Sequence, residues 1–100
     1  MTRVANAARG EATVCGVLLR PSFAALVAAE EELGPLFALV ERAAAGQLTL
    51  AEMTALFWHC RFDAPSALTR EEFCEGIAAG GLAAATPALK MLLGQILGGV

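Results

Sequence analysis

The chain has 100 residues, of which 57% are hydrophobic, and it carries a formal net charge of −3 at pH 7. This length provides about one domain, and much of the hydrophobic excess is alanine, which favours closely packed helices. Seven Lys/Arg stand against ten Asp/Glu without forming a basic stripe. The composition therefore disfavours nucleic acid as a partner.

Neither the N-terminal region nor the C-terminal region predicts a membrane segment. The first residues contain no apolar run of signal-peptide length, and the apolar region from residue 82 to 100 is interrupted by Pro87, Lys90 and Gln95. We therefore expect a soluble protein that is not exported. The three cysteines show no CxxC spacing, which favours reduced, buried thiols over disulfides or a zinc site.

The beginning of the chain predicts a lead-in followed by a small hairpin. Residues 1–9 show no periodicity and are expected to be disordered, so that a single domain covers residues 10–100. Residues 11–14 and 17–20 read as two short strands around Cys15 and Gly16, because threonine and valine favour strands and glycine favours the turn.

Helix signals follow in regular order. Ser22 is placed to cap a first helix that ends at Gly34, and Gly46 closes a second helix. The expected core-facing residues are Phe23, Leu26, Val27 and Leu33 in the first helix and Leu36, Phe37, Leu39, Val40 and Ala43 in the second.

Three more helices complete the predicted bundle. Thr49 with Glu52, and Thr69 with Glu72, match the capping-box pattern on either side of a turn predicted at residues 63–66. Thr86 and Pro87 are expected to cap and begin the last helix, which continues through Leu97. The predicted fold is mostly α, with a short N-terminal β-hairpin followed by a compact bundle of about five short helices.

The sequence contains no pattern that predicts catalysis, a metal or a cofactor. Counting from Asp63, a calcium loop would need glycine at its sixth position, where Leu68 stands. The single histidine, His59, is adjacent to Cys60, which is poor geometry for nucleophile activation or a shared metal on a helix. The run from Glu30 to Glu32 reads as a solvated face. We therefore predict that the protein is not an enzyme and has no cofactor.

The last helix is the candidate partner-binding surface. Its large apolar residues run nearly all round it, so it is either the central helix of the bundle or leaves an apolar stripe for a partner or a second copy. The candidate residues are Leu89, Met91, Leu92, Leu93, Ile96 and Leu97.

Several short motifs together resemble a known family. The first group is Leu19, Arg20, Pro21, Ser22, Phe23, Ala25, Leu26, Glu30 and Gly34, and the second is residues 46–50 with Gly81 and Leu82. From about residue 9 to 98 this pattern is similar to the small gene transfer agent family found in tailed-phage gene clusters. In this chain the hairpin turn is shorter than is usual in that family. The junction at Leu19, Arg20 and Pro21 is expected to fix the angle of the hairpin against the helices, and Arg20 is a candidate partner for Glu30 or Glu31.

The resemblance implies an assembly role in the bacterial cytoplasm without catalysis. Members of that family are described either as tail tube proteins or as tail assembly chaperones. Because the strands here are short, we favour a chaperone that keeps the tape measure protein soluble, with self-association also possible. The alternatives are a structural tail component and a small helical adaptor unrelated to phage.

Overall fold

The computed structural model describes residues 12–62 and 67–98. The predicted lead-in at residues 1–9 and the predicted turn at residues 63–66 lie outside the described residues. The strands are Ala12–Val14 (β1), Val17–Leu19 (β2) and Arg61–Phe62 (β3), and the helices are Phe23–Leu33 (α1), Leu36–Ala44 (α2), Leu50–His59 (α3), Arg70–Ala79 (α4) and Leu82–Gly98 (α5). The mostly α fold with an N-terminal hairpin followed by five helices is confirmed in this part of the chain.

The hairpin is part of a three-stranded antiparallel sheet in the order β1-β2-β3. Cys15 and Gly16 form its two-residue turn with φ values of 52° and 75°, the left-handed backbone that matches the twist of a tight hairpin. Leu18 and Leu19 of β2 pair with β3 on the other side. The sequence did not predict β3, because a strand of only two residues is too short to show an alternating pattern.

The core is centred on α3. Five consecutive α3 residues, from Met53 to Phe57, are buried, and the side chains around them come from every other helix and from the hairpin. The last helix is therefore not the central one. The largest fully buried side chains are Phe57, Phe73, Leu19, Leu39, Leu56, Ile77, Leu92 and Cys60.

Two phenylalanines and Val27, all expected in the core, are exposed instead. Phe23 in α1 is 83% exposed and Phe37 in α2 is 76% exposed, whereas Ala29 and Leu39 are fully buried in the same two helices. Most residues in the first two turns of α1 are apolar, so their spacing does not determine which side faces the core. The buried residue of α1 is the small Ala29.

The predicted helix starts are confirmed for α1, α3 and α4. Ser22 accepts a hydrogen bond from the Ala25 amide at 3.2 Å. Thr49 with Glu52 and Thr69 with Glu72 both form complete capping boxes, in which the threonine hydroxyl accepts from the glutamate amide and the glutamate carboxylate accepts from the threonine amide. These motifs are local, which explains why the sequence alone identifies them.

The predicted start of the last helix is wrong. α5 begins at Leu82, so Thr86 and Pro87 lie inside it, and the Thr86 hydroxyl donates to the Leu82 carbonyl at 3.0 Å instead of capping. Gly81, with a φ of 89°, supplies the break before the helix. The residues between Leu82 and Thr86 are alanines, the strongest helix formers, which favour the earlier start.

Candidate functional site

The junction after β2 ties the hairpin to the end of α3. Leu19 is fully buried, and the next amide, that of Arg20, donates to the Cys60 carbonyl at 2.7 Å. The Arg20 guanidinium lies 3.8 Å from the centroid of the Phe62 ring. A backbone hydrogen bond and a cation–π contact therefore support the expectation that this junction orients the hairpin.

The motif residues Glu30 and Gly34 connect α1 to α2. Gly34 ends α1 with a φ of 87°, and Pro35 begins the next helix without a side chain that can cap it. The Glu30 carboxylate supplies the missing acceptor, because it accepts a hydrogen bond from the Leu36 amide at 3.1 Å. A carboxylate at the start of α2 also interacts favourably with the positive end of that helix. Leu26, another residue of the motif, is half-buried against the core.

Glu32 joins three helix ends. Its carboxylate lies 2.7 Å from Nε2 of His59 and 2.5 Å from the guanidinium of Arg70. Hydrogen bonds from Arg70 and then from His59 lower the pKa of Glu32 from 4.5 to about 2. All three glutamates are exposed, as expected for a solvated face, but Glu30 and Glu32 also connect helices through these contacts.

The sequence itself contains a signal for this cluster. Glu32 stands in the last turn of α1 and Arg70 is the first residue of α4. Both charges are at the unfavourable end of their own helix dipole. Two misplaced charges of opposite sign are a reason to expect that they pair with each other.

The six candidate residues of α5 do not form one exposed surface. Leu92 is fully buried and Leu97 is 57% exposed. The other four are half-buried and pack against the core: Leu89, Met91, Leu93 and Ile96. Most of the apolar surface of this helix is thus used within the fold.

An apolar groove lies where α5 meets the loop between α2 and α3. Its volume is about 200 Å³, and among the residues that line it are Ala43, Leu48, Leu50, Met53, Leu82 and Leu89. Leu50 is 44% exposed and Leu82 is 52% exposed. Of the six candidate residues only Leu89 lines the groove. The other large side chains come from the loop before α3, from α3 itself and from the first residue of α5, so only the folded chain brings them together.

A second cavity of about 270 Å³ separates the hairpin tip from the junction of α4 and α5. Cys15 lines it and is exposed, while Cys74 is half-buried and Cys60 is buried. The prediction of buried thiols is therefore wrong for Cys15, which lies in the two-residue turn at the tip of the hairpin. Burial raises the pKa of Cys60 to about 12, which keeps this thiol protonated and inert.

The described residues show neither a metal cluster nor a single membrane-spanning helix. No three His, Cys, Asp or Glu side chains converge as a metal site would require within residues 12–62 and 67–98. Over the same residues, no helix alone has the length and apolar character to cross a membrane. α4 and α5 have that length and apolar character only when they are taken together, and the chain bends by 115° between them.

A family model for "phage tail tube protein, GTA-gp10" matches residues 10–99, which is nearly the whole chain. The chain belongs to this phage tail tube protein family. The resemblance to a gene transfer agent family is thereby confirmed. No curated protein and no solved structure matches the chain.

Proposed function

We propose that this member of the GTA-gp10 family is a non-enzymatic assembly factor for a phage-like tail, of a gene transfer agent or a prophage, and acts as a tail assembly chaperone. Family membership supports a role in tails. The short strands support a binding role: each has only two or three residues. A subunit that builds a tube wall by joining strands edge to edge would need longer ones.

The proposed partner is the tape measure protein, which is long and hydrophobic and has to stay soluble in the bacterial cytoplasm until the tube polymerises around it. The apolar groove is the observation that carries this proposal. Leu50 and Leu82 present about half of their surface to solvent there, and Leu89 forms part of the lining. Apolar side chains on one face of a partner helix would fit such a groove.

Co-expression with the tape measure protein from the same gene cluster tests the proposal. We expect size-exclusion chromatography with light scattering to show a soluble joint complex for the wild type. Replacing both Leu50 and Leu82 by Asp should abolish that complex, because two charges would then have to be desolvated in the groove. A Phe37→Asp variant is the matched control, since Phe37 is even more exposed than Leu50 and Leu82 but does not line the groove.

Point variants are preferable to removal of the last helix. Leu92 is part of the core, so a truncation from Leu89 onward would lose binding simply by unfolding. Circular dichroism should show the same helical content for the wild type, the double variant and the control. Retained binding by a folded double variant would contradict the groove as the binding site.

A structural tail component is the second candidate, and the family description as a tail tube protein favours it. The two candidates differ in where the protein is found after assembly. A chaperone leaves the finished particle, whereas a tube component stays in it. Mass spectrometry of purified particles separates them. Family membership favours both over a helical adaptor unrelated to phage.

A further inference from the structure

The solvent side of α1 carries a stripe of two apolar residues and one acidic residue. Phe23, Val27 and Glu31 follow one another at intervals of four, which places them on one face of the helix. Phe23 is 83% exposed and Val27 is 38% exposed. The stripe spans about 12 Å along the helix axis. Among residues 12–62 and 67–98, no contact explains an exposed phenylalanine at this position.

Glu31 differs from its neighbours in having no partner among the described residues. Glu30 accepts the Leu36 amide and Glu32 binds His59 and Arg70, but Glu31 takes part in no hydrogen bond or ion pair there. It stands near the negative end of its own helix, where a carboxylate is unfavourable. The positive end of α1 has no acidic residue in its first turn.

We propose that this stripe binds a second copy of the chain, with the two α1 helices antiparallel about a two-fold axis at Val27. In this arrangement Val27 contacts the partner's Val27, and each Glu31 lies beside the partner's Phe23 at the positive end of the partner's α1. The Glu31 charge, which is unfavourable at the negative end of its own α1, then interacts favourably with the positive end of the partner's α1. Parallel helices would instead bring the two Glu31 carboxylates together.

Small residues beside the stripe allow the two helices to approach. Ala24 is exposed and Ala28 is half-buried, so the side chains on this flank of Val27 are small. The stripe is self-complementary in charge, which favours a two-fold interface. This inference does not rest on the chaperone role, because no α1 residue is among those that line the groove.

Sedimentation equilibrium over a range of concentrations tests the dimer. Phe23→Ser should raise the dissociation constant at least about tenfold, because each dimer loses two buried phenylalanines. Glu31→Lys should also weaken the dimer, and added salt should weaken the wild-type dimer. Phe37→Ser is the matched control, since Phe37 is 76% exposed but lies on α2, and it should leave the dissociation constant unchanged.

Disulfide trapping tests the two-fold axis itself. In a Cys15→Ser background, which removes the exposed native thiol, Val27→Cys should give a covalent dimer with oxidised glutathione. Phe37→Cys in the same background should not. A chain that stays monomeric at every concentration would overturn the proposal. Equal weakening of the dimer by Phe23→Ser and Phe37→Ser, or equal trapping of the two cysteine variants, would overturn it as well.

Discussion

Three consecutive glutamates in the last turns of α1 have three different environments. Glu30 reaches across the Gly34 break to the first amide of α2. Glu32 contacts α3 and α4 through His59 and Arg70. Glu31 points along the exposed stripe. Successive residues on a helix are about 100° apart, so neighbours of one chemical type can serve three separate surfaces.

The pKa of Glu32 makes a prediction about acid stability. Because its folded-state pKa is about 2, below the ordinary value of 4.5, ionisation of this carboxylate favours the folded state. The contribution is fully present above pH 4.5 and is lost as the pH falls towards 2. We expect Glu32→Gln to lower the free energy of unfolding by about 1 kcal/mol at pH 7, as is typical of partly exposed ion pairs. Urea titrations measure it.

The neighbouring carboxylate provides the control. Glu31→Gln removes the same charge from the same helix turn but breaks no contact within the described part of the chain. It should change the free energy of unfolding of the monomer much less at pH 7. The difference between wild type and Glu32→Gln should shrink as the pH is lowered. A constant difference from pH 7 to pH 3 would contradict the role of the ionised Glu32.

The start of α5 can be tested by two substitutions. If the helix begins at Leu82, Pro87 is internal and leaves one carbonyl without its helical donor. We expect Pro87→Ala to raise the free energy of unfolding by about 1 kcal/mol or more, and Ala83→Gly to lower it by about 1 kcal/mol. Thermal and urea unfolding measure both changes. If the helix began at Thr86, neither substitution would have the stated effect, because residue 83 would lie outside it.

Helix starts and helix faces differ in how well the sequence predicts them. Ser22, Thr49 and Thr69 were identified correctly because a cap depends on residues within one turn. Phe23 and Phe37 were assigned to the core incorrectly. Which side of an alanine-rich helix is buried depends on the neighbouring helices, and local spacing carries no information about those.

The candidate site was predicted in part for the same reason. Leu89 was identified on α5, but the groove depends equally on Leu50 and Leu82, which look like ordinary first residues of two helices. Leu92 shows the opposite effect, since it belongs to the same apolar run as Leu89 but is fully buried. Apolar character alone does not separate a residue that builds the core from one that borders a groove.

The hairpin and the helices share one core rather than forming separate layers. Val14, Val17 and Leu19 belong to the same buried cluster as Phe57, and Leu92 joins it from the far end of the chain. The Arg20 amide and the pairing of β2 with β3 add backbone hydrogen bonds between the hairpin and the end of α3. The hairpin could therefore not separate from the helices without exposing core surface.

This shared core predicts that the chain unfolds in a single cooperative transition. Trp58, the only tryptophan, reports on α3 and α4 because its ring packs against Phe73 at a centroid distance of 5.9 Å. Far-UV circular dichroism reports on all helices. In urea the two signals should give superimposable transitions, as two-state unfolding of a small domain requires.

A substitution in the hairpin tests whether the hairpin unfolds together with the helices. Leu19 lies on β2 and is fully buried, so Leu19→Ala should cost about 2–5 kcal/mol. In a single cooperative unit this change moves the fluorescence midpoint and the dichroism midpoint by the same amount. If the hairpin were an independent appendage, the same variant would leave both midpoints almost where they are in the wild type. Separate midpoints for the two signals would likewise contradict a single core.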